Sequence, residues 1–270
     1  MQYLNVNKRT IDLKEFRHRS AAESDCSTLV DEDTTMLLDG KPSLVYIANV
    51  AKDARLLFDS LKQIKYSINN RTSGIITSSR IFGYSPRNGM RNSPCRSASI
   101  ALEFPVQSQI LKRFAKVAAD YYNKTNQELA ELHQKLTDEK VLPIYKIDGS
   151  MFTSGIVNHN NPLKYHFDSG NYKGVWSAMF AFKRDIEGGY LACPEFDTAF
   201  KCSNQSLLMF DGQSILHGVT PINKLKPDAV RYTVVYYSLK AMWNCESPSN
   251  EIERMRSTRQ VIELSRKKNK

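Results

Sequence analysis

The sequence contains no apolar run of 18 or more residues, and its first stretch, MQYLNVNKRTIDLKEF, has no hydrophobic leader. These absences exclude a membrane-spanning helix and a secretory signal, so an intracellular, cytoplasmic protein without a membrane partner is expected. Cysteine is scarce. The five residues Cys26, Cys95, Cys193, Cys202 and Cys245 are odd in number, scattered and without a CxxC pair. That pattern argues against a disulfide framework and against a structural zinc site, and predicts reduced thiols. Histidine is equally scarce, again five residues, so each can be weighed individually. No internal repeat is present.

What remains is a 270-residue chain with 41% hydrophobic and 24% charged residues, close to globular averages. It is long enough for one large domain, taken as a monomer. The net charge is +10, and the last 20 residues hold seven Lys or Arg against three Glu. A basic balance suits a polyanionic partner, because each neutralised phosphate releases counterions. Nucleic acid is the partner this favours.

Residues 1–40 are polar and mixed in charge, and read as a loosely ordered arm or an edge element. A strand at 43–50 precedes an amphipathic helix around Ala51–Ile64, with Ala54, Leu57, Phe58 and Leu61 on one face. Residues 69–97, rich in Gly, Ser, Asn, Arg and Pro, read as a long loop. Pro105 opens a helical stretch to about Leu136, with a break near Asn123–Gln127. Beyond Val141 come short β-prone runs such as LPIYKID, LKYHFD, VWSAMFAFK, SLLMFD and RYTVVYYSL, punctuated by Gly, Asn, Asp and Pro. This pattern predicts an α+β fold with a mainly β core, a double-sheet jelly roll buttressed by N-terminal helices. We expect one domain over 41–245, with helical support at 51–136 and a β core at 141–243. A basic C-terminal helix and tail occupy 246–270.

His166 and Asp168 lie two apart on a strand, and strand side chains alternate with period two, so both face one side. His217, in SILHG, is the natural third ligand. Two imidazoles and one carboxylate are the facial triad of non-haem iron(II) oxygenases, which leaves coordination positions open. Arg231 follows 14 residues later, with the Thr233 hydroxyl two residues on and pointing the same way. A guanidinium offers paired donors to a carboxylate such as the distal one of 2-oxoglutarate. The alternative, His217 as a core histidine and Arg231 in a surface ion pair, stays open on spacing alone. His18 and His133 lie in polar or helical surroundings, and His159 sits in the turn NHNN.

The segments FTSGIVNHNNPLKYHFDSGN, GGYLACPEF, LLMFDGQSILHGVTPI and RYTVVYYSLKAMW resemble the TET/JBP family of 2-oxoglutarate oxygenases, particularly its small phage and microbial members. The likeness extends upstream through FGYSPRNGMRNSPCRSASIALEFP and covers roughly residues 80–260. It implies a double-stranded β-helix, Fe(II) held by His166, Asp168 and His217, and 2-oxoglutarate held by Arg231 with help from Thr233. It also implies a 5-methylpyrimidine in DNA as substrate, flipped from the duplex, with Asn171, three residues after Asp168, bonding the base. If phage-encoded, such a protein works in the host cytoplasm. The cysteine-rich, zinc-binding extension of the large animal members is lacking. Contact with the DNA backbone therefore falls to the Arg-rich loop (Arg80, Arg87, Arg91, Arg96) and the basic tail. The competing expectations are hydroxylation of RNA, a nucleoside or a protein side chain, or a non-catalytic nucleic-acid-binding module on an oxygenase fold.

Overall fold

A computed structural model describes residues 1–17, 19–70, 76–88 and 92–268. In chain order the N-terminal elements are β1 (Gln2–Val6), α1 (Leu13–Phe16), β2 (Thr28–Val30), β3 (Thr34–Leu38), β4 (Lys41–Ile47) and α2 (Ala51–Leu61). Next come β5 (Ser67–Asn70), β6 (Ile76–Ser85), β7 (Arg96–Ser97), α3 (Ile100–Glu103), α4 (Pro105–Thr125) and α5 (Gln127–Lys140). The strand-rich half holds β8 (Ser154–His159), β9 (Leu163–His166), β10 (Ser177–Arg184), β11 (Ile186–Gly188), β12 (Leu191–Cys193) and β13 (Thr198–Phe200). It continues with β14 (Ser206–Phe210), β15 (His217–Val219), β16 (Ile222–Lys224) and β17 (Val230–Tyr237), and α6 (Pro248–Lys268) follows.

Two sheets face each other. The larger runs β1-β3-β4-β14-β10-β17-β8-β6-β5, with β7 on β6, and the smaller runs β2-β13-β12-β15-β9. One apolar layer, including Met36, Leu44, Met179, Phe200, Leu208 and Ile215, fills the space between them. A second layer packs α2 and α4 on the outer face of the larger sheet, where Leu57, Leu111, Phe114 and Ala118 meet Phe180, Phe182 and Val234. Strands such as β10 and β14 are buried on both faces, which explains their unbroken apolar runs SAMFAF and SLLMF. The double-sheet fold with helical buttress agrees with the sequence expectation.

The helical pattern also matches. Ala54, Leu57 and Leu61 of α2 are fully buried. Pro105 occupies the first turn of α4, where its missing N–H costs no bond. Asn126 separates α4 from α5 and caps the latter through its side chain.

Two expectations need correction, and one open alternative is settled. Residues 69–97, read as a loop, contain β6, ten residues long and paired with β8. Its Ser, Thr and Arg content hides a strand of which Ser79 and Phe82 are buried. Residues 1–40, read as a loose arm or an edge element, take the second form and carry β1, β2 and β3. β1 pairs in parallel with β3 at the edge of the larger sheet, and β2 pairs with β13 at the edge of the smaller. Finally, the thiols are not all reduced. Cys95 and Cys245 form a disulfide across 150 residues of chain. A pairing of that range leaves no spacing signature. Cys26, Cys193 and Cys202 are free. Among the described residues no helix is long and apolar enough to cross a membrane.

Candidate metal and cosubstrate site

The open end of the space between the sheets is a cleft of about 270 Å³, and His166, Asp168, Asn171, His217, Arg231 and Thr233 all line it. β9 and β15 run antiparallel with His166 directly opposite His217. Their ring centroids are 4.4 Å apart. β9 ends at His166, so Asp168 arrives from the turn beyond the strand rather than from the strand itself. Its backbone N–H is tied to the Gly212 carbonyl at 2.8 Å. The carboxylate Oδ1 lies 3.5 Å from His166 Nε2 and 3.8 Å from His217 Nε2.

Each imidazole is turned by its own backbone neighbourhood. His166 Nδ1 donates to the Lys164 carbonyl at 2.7 Å and His217 Nδ1 to the Ile215 carbonyl at 2.9 Å. Both Nε2 atoms are thereby left as acceptors facing the carboxylate, the tautomer a metal needs. Burial, with the neighbouring His166 adding to it, pushes His217 down to about 4, which keeps it neutral. His166, Asp168 and His217 are the group of potential ligands found among the described residues, with ligand atoms all within 4.8 Å of one another. Bonds of about 2.0–2.2 Å to one shared ion are compatible with these separations. A Cβ on Gly212 would stand 2.3 Å from Asp168 Oδ2, so only glycine leaves room for the carboxylate. The donor set fits a divalent ion that keeps sites open for other ligands.

Arg231 and Thr233 project from β17 on the cleft face, with Val235 continuing the period-two alternation. The Arg231 side chain is 1% exposed, and its Nε and Nη2 make no hydrogen bond. A buried cation with unused donors is costly unless an anion meets it. That is the observation a dicarboxylate cosubstrate would explain. Thr233 Oγ1 accepts from Asn158 Nδ2 at 3.1 Å, and Asn158 Oδ1 accepts from Asn161 Nδ2 at 3.2 Å. The Thr233 hydroxyl hydrogen is therefore free to point into the cleft.

The substrate residues fare unevenly. Asn171 lies in the cleft wall, paired through a backbone bridge with Leu239, and its Nδ2 donates to Ser177 Oγ at 3.3 Å. Gln213 Nε2 donates to the Asn171 carbonyl. Arg91 lies outside the described residues. Arg96 is exposed on β7 and does not line the cleft. Arg80, on β6, is committed to Glu103 and Arg87 to Glu246 and Glu251, which removes both as ready phosphate partners. Of the aromatic residues near the metal strand, Tyr165, Tyr172 and Trp176 belong to the buried core, whereas half-buried Phe167 lines the cleft. His133 is buried against Ser238 at 2.8 Å and His159 stacks on Tyr66 and Tyr232, so neither reaches the metal group. His18 lies outside the described residues. Sequence reasoning missed Asn158 and Gly212. The signal for Gly212 was present in FDG, a glycine directly after a strand end.

The Tet_JBP family model, described as the oxygenase domain of the 2OGFeDO superfamily, matches residues 81–240. Among curated proteins, the bifunctional helicase and thymine dioxygenase JBP2 of Leishmania tarentolae is 24% identical over 145 residues, covering 54% of this chain and 13% of that protein. JBP2 of Trypanosoma cruzi is 29% identical over 115 residues, covering 43% and 10%. The chain thus matches only a small part of the length of these relatives. Among solved structures, NgTET1 in complex with 5mC DNA superposes with a TM-score of 0.63 at 15% identity, over 93% of this chain and 89% of that one. A 2OG-Fe(II) oxygenase family oxidoreductase from Burkholderia pseudomallei gives 0.50 at 12% identity, over 73% and 85%.

Proposed function

The chain belongs to the Tet_JBP family of oxygenase domains in the 2OGFeDO superfamily, and from that premise we propose that it hydroxylates the methyl group of a 5-methylpyrimidine, 5-methylcytosine or thymine, in DNA. It is a 2-oxoglutarate- and Fe(II)-dependent dioxygenase. The observation that carries the site assignment is the convergence of His166, Asp168 and His217 in the same cleft as the buried Arg231, whose Nε and Nη2 lack partners.

His166, Asp168 and His217 would hold the iron, and Arg231 with Thr233 would bind the far carboxylate of 2-oxoglutarate. Together these two groups, when bound, supply the oxidation of a C–H bond by dioxygen coupled to decarboxylation of the oxo acid. The remaining work is the protein's. Arg231 contributes charge and paired donors, and Asn158 fixes the Thr233 hydroxyl so that it donates to the same carboxylate. Met179, Leu191, Phe210 and Val219 make the inner wall apolar and limit water around the reacting centre.

A methyl group inside a duplex cannot reach this cleft, so the base must leave the stack at a cost of a few kcal/mol. Stacking on Phe167 would offset part of it, at about 1–3 kcal/mol per base. Asn171, held by Gln213 and Ser177, presents an amide to the base edge. With Arg80 and Arg87 engaged, exposed Arg96 and Arg256 are among the cations that would meet backbone phosphate. All of the residues assigned here come from one copy of the chain, consistent with a monomer acting on its own.

The test is a nucleoside profile. DNA carrying 5-methylcytosine or thymine is incubated with the protein, Fe(II) and 2-oxoglutarate, then digested and read by mass spectrometry. Hydroxymethyl product that disappears in Asp168→Ala supports the reading. Unchanged DNA beside modified RNA or peptide rejects it.

A further inference from the structure

Beside Arg231 stands a second cation that the proposed reaction does not use. Lys183 of β10 is the direct cross-strand partner of Arg231. Side chains opposite one another in an antiparallel pair share a face, and like charges placed so are destabilising. Burial pushes the Lys183 ammonium down to about 8; Arg231 and Lys201 push the same way, against Cys202 and Glu23. An arrangement that costs stability calls for another reason to exist.

The bonds of the ammonium supply that reason. Lys183 Nζ donates to the Gly188 carbonyl and to the Lys201 carbonyl, each at 2.7 Å. Each of those residues directly precedes a wall of the Arg231 side chain. On one side is Gly189, at φ +62, where an added Cβ would lie 2.9 Å from Arg231 Cδ and Nε. On the other is Cys202, fully buried, whose sulfur lies on the guanidinium side and favours its charged form. Cys202 has φ 48, a left-handed conformation uncommon outside glycine. Such backbone persists where its surroundings over-determine it, and the Lys183 bond to the preceding carbonyl is one such constraint.

We propose that Lys183 is a positioning residue: its ammonium ties the two backbone segments that wall Arg231, holding the guanidinium toward the cleft so that the site selects a dicarboxylic oxo acid over a monocarboxylic one. The inference rests on Arg231 as the partner of the far carboxylate. It adds to that reading a residue outside the cleft lining and a consequence for cosubstrate choice.

Equilibrium titration of the full chain, loaded with Mn(II), with 2-oxoglutarate and separately with 2-oxobutyrate, which lacks the far carboxylate, tests it. The unaltered protein prefers 2-oxoglutarate. Lys183→Met lowers that preference by about ten-fold, the equivalent of ~1.4 kcal/mol, entirely through weaker 2-oxoglutarate binding, with 2-oxobutyrate and Mn(II) affinities unmoved. A general loss of structure would weaken all three together. Should Lys183→Met not fold, Cys202→Ala, which removes only the sulfur wall, is expected to narrow the preference in the same direction. A preference unchanged in the folded variants overturns the clamp while leaving the Arg231 assignment standing. Equal binding of both acids by the unaltered protein removes the Arg231 assignment, and the clamp with it.

Discussion

The metal end of the cleft and its C-terminal rim are built from contacts of very different kinds. At the metal end, two histidines face each other across one strand pair, each oriented by a carbonyl two residues away in its own strand or turn. At the rim, Leu239 and Lys240 meet Thr153 and Gly170, and a disulfide joins Cys245 to Cys95. Close by, Arg87 grips Glu251 at the start of α6, 164 residues away in sequence. Local orientation suits chemistry that tolerates little misplacement. The rim instead fastens segments that are distant in sequence. If this contrast holds, damage at one end should leave the other intact.

The largest effect is expected at the metal. Asp168→Ala should abolish succinate formation. Gly212→Ala, which crowds the same carboxylate, should weaken Mn(II) binding by about 10–100-fold, as loss of an orienting partner does. Succinate release in the presence of substrate checks the first, and calorimetric titration with Mn(II) alone checks the second. Next comes the cosubstrate. Arg231→Ala should weaken 2-oxoglutarate binding by about ten- to a hundred-fold, from roughly 1.5–3 kcal/mol for a hydrogen bond to a charged group. If the 2-oxoglutarate requirement does not change, the carboxylate partner has been misassigned.

The rim should respond in stability. Cys95→Ser with Cys245→Ser should cost about 2–4 kcal/mol in urea unfolding, because the cross-link closes a long loop. Mn(II) affinity should stay as it was. A parallel loss of metal binding would break the contrast between the two ends.

The smallest effect concerns acid. Burial opposes ionisation of Glu251, but Arg87 and the N–H groups of Glu246 and Cys95 outweigh it and hold the carboxyl at about 2, against an ordinary 4.5. A carboxyl depressed in the folded state stabilises above its unfolded value and loses that contribution as pH falls through the folded one. Anchoring of α6 should therefore be complete above pH 4.5 and fade toward pH 2. Limited proteolysis within α6 across that window reads the change, and Glu251→Gln should abolish its pH dependence.

This division also explains what could be read from the residues alone. Arg231 and Thr233 are visible because strand alternation places them, and His166 and Asp168 because they lie two residues apart, although Asp168 sits past the strand end; the structure gathers these four and His217 in one cleft. The jelly roll was legible for the same reason, since strands buried on both faces leave apolar runs. Strand β6 was hidden by a composition of Ser, Thr and Arg that mimics a loop. The disulfide, the Arg87–Glu251 pair and the Lys183 ties to Gly188 and Lys201 depend on pairings set by the whole fold. Arg80 and Arg87 looked like phosphate contacts because sequence shows a charge without its partner.

Crystals soaked with Mn(II) and 2-oxoglutarate, measured for anomalous scattering, test the centre of this account most directly. One peak is expected between His166 Nε2, Asp168 Oδ1 and His217 Nε2, with the oxo acid reaching from it to Arg231. A metal bound elsewhere, or a cosubstrate whose far carboxylate avoids Arg231, would contradict it.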